Sequence, residues 1–306
     1  MNLALIQEQV GSAPHLPVSR MCQLLEVGRH RYYRGLATEA WAGDGAVAAP
    51  PNEGLQVRDA IQRIALAMPG YGYRTITREL ARRGLVANHK RVLRFMREGN
   101  LLSRRSPRFH VTTDSNHAHP VYPNLIPALQ LERLDQLWVA DITYIRLQEE
   151  FIYLAVMLDA FSRRCIGWAL ETYLDTRLTL AALTMALATR QVPSGRGGLV
   201  HQADLVHHSD RGVQSACGDY TALLHAHGIQ ISMSRRGNPY DNARAKSFIK
   251  TLKYEEVYLN EYDTLTQARS DIGHFLETVY NQQRLHSALG YLPPAEFEAA
   301  QPTTGP

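Results

Sequence analysis

Cysteine is scarce in this chain of 306 residues: Cys22, Cys165 and Cys217 stand far apart and are odd in number. Their spacing excludes a CxxC zinc site and fits free thiols in a reducing compartment. Long apolar runs are also missing. None approaches the ~18 residues that cross a bilayer, so no membrane partner is expected. The opening MNLALIQEQVGSAPH has neither a basic n-region nor a long apolar stretch, so no secretory signal is expected either. These absences point to a cytoplasmic protein. No internal repeat of solenoid length is present. What the chain does have is 45% hydrophobic against 20% charged residues, enough to bury a core in about two domains.

A net charge of +4 conceals an asymmetry. Residues 1–110 carry 17 Lys/Arg against 8 Asp/Glu, and residues 111–306 carry 16 against 21. A basic first third suggests that the front of the chain meets a polyanion, although a solvated Arg-rich surface has the same composition. Two stretches there have helix-turn-helix spacing. In VSRMCQLLEVGRHRYYRGL (18–36), Ser19 caps one helix and Gly28 marks the turn; Arg29 and Arg31 open the second helix. An Ala/Gly/Pro-rich linker follows and closes a segment at 1–54.

The second unit spans 55–102. Val57, Ile61 and Ile64 line a helix that stops at Pro69-Gly70, and Gly84 ends another that begins near Thr75. Asn88 caps HKRVLRFMREGN, whose Val92, Leu93 and Met96 turn inward. Lys90, Arg91, Arg94 and Arg97 are left for phosphate oxygens. Residues 103–134 hold four prolines and no periodicity, and read as a connector. His117 and His119 in it lack the companions that a zinc site needs.

From Leu137 the composition becomes strand-like. LWVADITYIRL and FIYLAVMLDAFSRRCIGWAL read as strands, LTLAALTMALATRQ as a helix, LVHHSD and IQISMS as short strands around the helix ACGDYTALLHAHG. The pattern after Asp241-Asn242 is helical. The fold class is therefore α/β, a mixed-sheet core over 135–255 preceded by small all-α units and followed by a helical extension over 256–306. Asp141 lies inside a strand, where a carboxylate needs a cation to offset its desolvation. Asp210 ends LVHHSD at the strand edge that favours ligands. Two such aspartates suit Mg²⁺ or Mn²⁺; a buried salt bridge plus a turn aspartate would use the same residues. His207 and His208 alternate inward and outward on the strand before Asp210.

WVADITYIRL, YLAVMLDAFSRRCIGW, HHSDRGVQ, SMSRRGNPYDNARAKSF, TLKYEEV and YNQQRLHSALGYLPPAEF, in that order, resemble the IS-three family of insertion-sequence transposases. YGYRTITRELARRGLVANHKRVLRFMRE resembles the helix-turn-helix placed before their catalytic core. The resemblance runs over about residues 18–300. It implies an RNase-H-like, retroviral-integrase-type core that cuts and joins DNA at element ends, in the bacterial cytoplasm at the nucleoid. In the family, three acidic residues hold two divalent cations, Mg²⁺ or Mn²⁺, for in-line phosphoryl transfer. It further implies a homo-oligomer on DNA (element terminal repeats and target) and a partner product of an upstream reading frame. Arg235, Arg236, Asn238 and Asn242 fall in a polar loop where DNA contact and a plain loop are both open. Tyr280 and Arg284 fall in a C-terminal stretch whose family role is DNA or end-complex contact, with packing onto the core equally open for Tyr280.

Asp141 matches the family's first acid and Asp210 its second. The third should be a glutamate with 35 residues between it and Asp210, and Lys246 stands there. Helical geometry puts Lys246, Ile249, Lys250 and Lys253 on one face, none acidic, with Glu255 about 180° away. Asp241 is expected to cap the helix. An ammonium in place of a carboxylate is expected to weaken metal binding and to pair with Asp141 or Asp210. Ser215, where the family has an aromatic, and HQAD at 201–204 are further departures. The sequence thus frames three readings: a transposase with impaired chemistry, a non-catalytic DNA-binding protein that occupies element ends as a repressor, or an RNase-H-like nuclease. The paired helix-turn-helix units argue against the last, because a hybrid nuclease needs no major-groove reader.

Overall fold

Asn88 and Gly84 do what their residue types dictate. The Asn88 carboxamide oxygen accepts the Lys90 N–H at 2.9 Å, and Gly84 takes φ 76° after the preceding helix. The computed structural model describes residues 53–102, 120–192, 204–236, 238 and 240–301. Arg29, Arg31, Cys22, His117, His119 and most of the connector lie outside them. Helices α1 (Glu53–Ala67), α2 (Tyr73–Arg82) and α3 (His89–Glu98) come first. Ile76 and Leu80 of α2 and Val92, Phe95 and Met96 of α3 are buried, and Leu93 is half-buried.

The sheet follows: β1 (Leu137–Arg146), β2 (Phe151–Asp159), β3 (Cys165–Glu171), β4 (Val206–Ser209) and β5 (Gln230–Met233). Their order is β3-β2-β1-β4-β5. The first three form an antiparallel meander; β4 and β5 add in parallel beside β1. Parallel addition needs crossovers, and α4 (Thr176–Thr189) and α6 (Gly218–Ala226), with the short α5 (Val213–Ala216), lie between the strands in sequence. Alternation along β1 divides the core between two faces. Trp138 and Ala140 join Leu183, Ala186, Tyr220 and Leu224 on one side. Leu137, Val139 and Ile145 join Ala245, Phe248, Leu252, Ile272, Phe275 and Leu276 on the other. The result is helix, mixed sheet, helix, the RNase-H-like architecture expected. Among the described residues no helix is long and apolar enough to cross a membrane.

The helices after the sheet complete its core. α7 (Ala243–Leu252) runs into a π turn at Lys253–Val257, then α8 (Leu265–His274) into a π segment at Phe275–Gln283, and α9 (Pro294–Ala299) ends the series. The residues expected to form an extension at 256–306 thus share one apolar cluster with β1 and β2. Glu298 on α9 accepts from Ser162 Oγ and Arg164 Nη1, each at 2.6 Å, and pairs with Arg190.

A buried ion pair joins the pieces. Arg284 donates through Nε and Nη2 to both carboxylate oxygens of Glu255, each at 2.7 Å. Only 16% and 6% of the two side chains is exposed. Against it packs the turn between α1 and α2: a Cβ on Gly70 would lie 2.0 Å from Glu255 Oε1, so only glycine fits there. Next to Gly70, the buried Tyr71 hydroxyl accepts the Leu285 N–H at 2.6 Å. Removing one partner strands the other charge, so Arg284→Ala or Glu255→Ala should each lower stability by about 3–5 kcal/mol in urea unfolding. A loss below about 1 kcal/mol in both would refute the buried pair as a keystone.

Candidate active site and nucleic-acid surface

The register of the parallel pair decides where the two aspartates stand. Leu137, Trp138 and Val139 pair with Val206, His207 and His208. The same offset carried two residues further sets Asp141 level with Asp210, and equal parity puts both carboxylates on one face. Asp141 is half-buried on the central strand, across from Val156 of β2. Its Oδ1 accepts its neighbour Ile142's N–H at 3.0 Å, and it forms no ion pair among the described residues. Burial, and then the charge of Asp210, push its carboxyl up to about 7; the Ile142 N–H, Lys246 and Lys253 pull the other way. Asp210 accepts the Gly212 N–H at 3.2 Å. Ser215, Thr179 and Tyr220 line the same shallow cavity as the two aspartates. Ser215, one of the three departures from the family pattern, is buried there.

Lys246 sits on the first turn of α7, exposed, with its backbone N–H on the Asn242 carbonyl at 3.1 Å. It is in electrostatic reach of Asp141 yet forms no salt bridge with it among the described residues. Lys253, on the same face two turns on, is half-buried. Its ammonium lies 4.5 Å from the centre of the Tyr144 ring, and burial lowers its pKa against the pull of Asp141. Glu255, pinned to Arg284, is not free to fill the carboxylate's place. The described residues contain no group of three or more His, Cys, Asp or Glu that could hold a metal ion.

Several residues of the polar loop and the C-terminal stretch have structural partners. Asn242 is buried, and its Nδ2 donates to the Ala140 carbonyl at 2.8 Å, tying the start of α7 to the residue before Asp141. Arg284 is held in the ion pair above, and Tyr280 is buried edge-on to Phe248 and His286. Asp241 does not cap α7. Asn242 occupies that place without a side-chain cap, while Asp241 accepts from Arg235 Nε, Nη2 and N–H and from Asn238 Nδ2. His207 and His208 are both fully buried rather than one in and one out. They bond to the Tyr220 hydroxyl and to Ser232 and Ser234, and burial holds His208 down at about 4. Lys90, Arg94, Arg97, Arg235 and Arg236 are exposed. Arg91 and Arg94 lie over the Phe95 ring at 5.4 and 5.3 Å, and Arg94 also reaches Glu98 at 3.7 Å.

The Integrase core domain family matches residues 132–239 and, in a second form, 227–294; the HTH-like domain family matches 53–109. An insertion element IS600 uncharacterized 31 kDa protein of Shigella sonnei is 35% identical, over 90% of this chain and 97% of its own length. The transposase for IS904 of Lactococcus lactis is 34% identical over 74% and 87%. Transposase InsF for IS3A of Escherichia coli is 31% identical over 92% and 93%. Among solved structures, the HTLV-2 integrase catalytic core domain in complex with magnesium aligns over 54% of this chain and 97% of that one. Its identity is 15% and its TM-score 0.39, a likeness too slight to build on.

Two outcomes follow from the geometry. Asn242→Ala should lower stability by about 1–3 kcal/mol in urea unfolding, with DNA affinity per folded molecule unchanged. The Asp241 carboxyl is held near 2, against an ordinary 3.8, chiefly by its hydrogen bond from Arg235. A depressed carboxyl stabilises above its unfolded pKa and loses that contribution as pH falls through the folded value. Asp241→Asn should therefore flatten the decline in stability between these two pH values; an unchanged acid limb would count against the pair.

Proposed function

Because the chain belongs to the family of insertion-sequence transposases, with an HTH-like domain ahead of an integrase core, we propose that it engages the DNA of element ends while its own cut-and-join chemistry is impaired. The observation that carries this reading is Lys246, a cation at the place of the third acid. Asp141 and Asp210 stand level and offer hard oxygen donors, a set that fits one divalent ion. It does not fit two: with an ammonium as third member, the site lacks both a ligand and the negative charge that two ions require. Lys246 and Lys253 instead bring two positive charges toward the carboxylate pair, which supports contact with a phosphodiester better than its cleavage.

The exposed Lys90, Arg94 and Arg97 of α3 support DNA engagement by the helix-turn-helix-like unit. Arg29 and Arg31 of the first 54 residues, and Arg235 and Arg236 near the site, would extend that surface. Assembly as a homo-oligomer on DNA and a partner from an upstream frame accord with this reading. The repressor alternative is favoured by the same combination of basic helix and missing carboxylate, and differs only in having no residual chemistry.

The test compares the parent chain with Lys246→Glu in a Mg²⁺-dependent end-cleavage assay. Restoring the acid should raise cleavage by at least about 100-fold, equivalent to ~3 kcal/mol of barrier. Equal activity in the two proteins would sink the impairment. A parent that binds ends but leaves them intact even in Mn²⁺ would select the repressor.

A further inference from the structure

The arginines of α2 and its C-cap, Arg83, fall into two classes. Arg82 donates to both carboxylate oxygens of Glu296, at 3.2 and 2.6 Å, and Arg83 to Glu79 at 2.8 Å. Arg74 and Arg78, one turn apart on one face, have no carboxylate partner among the described residues. Arg74 Nε reaches only the Tyr73 hydroxyl, at 3.1 Å, and the Arg78 guanidinium lies 5.4 Å from the centre of the Tyr291 ring. Both line an open cavity of about 530 Å³ with Thr77, Asn88, His89 and Tyr291. Two guanidinium groups without counter-charges at one cavity form a site for an anion.

Tyr291 comes to this cavity from the far end of the sequence, and by a strained route. Gly290 and Tyr291 both adopt left-handed backbone, φ 67° and 65°. For glycine this is free; for tyrosine it costs on the order of 1–2 kcal/mol. The loop is closed by the Tyr291 N–H on the His286 carbonyl at 2.8 Å and the His286 N–H on that of Leu292 at 3.2 Å. Its tip sets an aromatic face behind Arg78. A guanidinium stacked in this way keeps its N–H edge free for oxygen acceptors.

We propose that this cavity seats the DNA phosphate backbone, built jointly by the helix-turn-helix-like unit and the C-terminal loop. Arg74 and Arg78 are its ligands, and Tyr291 is the residue that positions Arg78. The inference rests on the DNA-binding reading above and adds to it a contact outside α3's basic face. The backbone is favoured over a small anion because the cavity is open and continues into α3: Asn88 and His89 begin that helix, and the exposed Lys90, Arg94 and Arg97 follow. A strand lying along α3 would therefore pass over Arg74 and Arg78. Bound DNA would then touch both the helix-turn-helix-like unit and the last segment of the chain.

The experiment uses the full chain and a short labelled mixed-sequence duplex, with anisotropy followed as a function of KCl. Arg74→Gln/Arg78→Gln should weaken binding about tenfold at moderate salt and reduce the log–log salt slope by about 2. Each single substitution should reduce it by about 1, which decides the matter if the double variant does not fold. Arg82→Gln, remote from the cavity in its bonding, should leave the slope unchanged. Tyr291→Leu should weaken binding about threefold, and Tyr291→Phe, which keeps the ring, should restore it. Wild-type affinity and slope in folded Arg74→Gln/Arg78→Gln protein would overturn the proposal. Equal weakening by Tyr291→Phe and Tyr291→Leu would overturn the positioning role. A parent chain that fails to bind the duplex at all would overturn the DNA-binding reading itself.

Discussion

The ion pair between Glu255 and Arg284 is the constraint on which the other placements depend. Both side chains are largely withdrawn from water, and each satisfies the other through two parallel hydrogen bonds. Such a pair tolerates little displacement, since any gap leaves a charge in a low-dielectric interior. It therefore fixes how the π turn after α7 meets the segment after α8. Gly70 and Tyr71 close over it and bring the turn of the helix-turn-helix-like unit against the core. It also explains why Glu255, the first acid after Lys246 in the sequence, cannot serve the carboxylate pair: it is committed elsewhere.

With α7 fixed, the chemistry at its first turn is set by one residue. Asn242 ties the helix start to Ala140, beside Asp141, and so holds position 246 within electrostatic reach of Asp141. In the proposed reading, a glutamate there would add a third oxygen donor beside the two aspartates. Lys246 replaces ligand with counter-charge, and Lys253 adds a second ammonium from the same face. The carboxyl of Asp141 remains raised to about 7, so these two cations do not fully offset its burial and its proximity to Asp210.

Much of this is legible in residue order and type. The strands, the Asn88 cap and the Gly84 stop follow from local rules, alternation and capping, whereas the level placement of Asp141 and Asp210 comes from the register of the parallel pair. The roles of Asn242, Arg284 and Asp241 are not legible there, because a polar residue in a motif looks the same whether it meets DNA, a buried carbonyl or a buried carboxylate. For Asn242 and Arg284, which it meets depends on partners 102 and 29 residues away in sequence. His207 and His208 keep to opposite faces but are both buried, for a related reason. A strand flanked by strands on both sides and covered by helices on both faces has no outward side, and serines and a tyrosine are at hand to satisfy the rings.

By itself, the sequence determined the family, the order of elements and the identity of the residue at the third acidic position, since each rests on residue type and spacing along the chain. Tertiary structure alone decided which basic residues remain available to a polyanion. Arg82 and Arg284 meet carboxylates that folding brings from 214 and 29 residues away, whereas Arg74 and Arg78 meet only tyrosine side chains. The physical reason is that net charge is a property of composition, but an unneutralised charge is a property of neighbours.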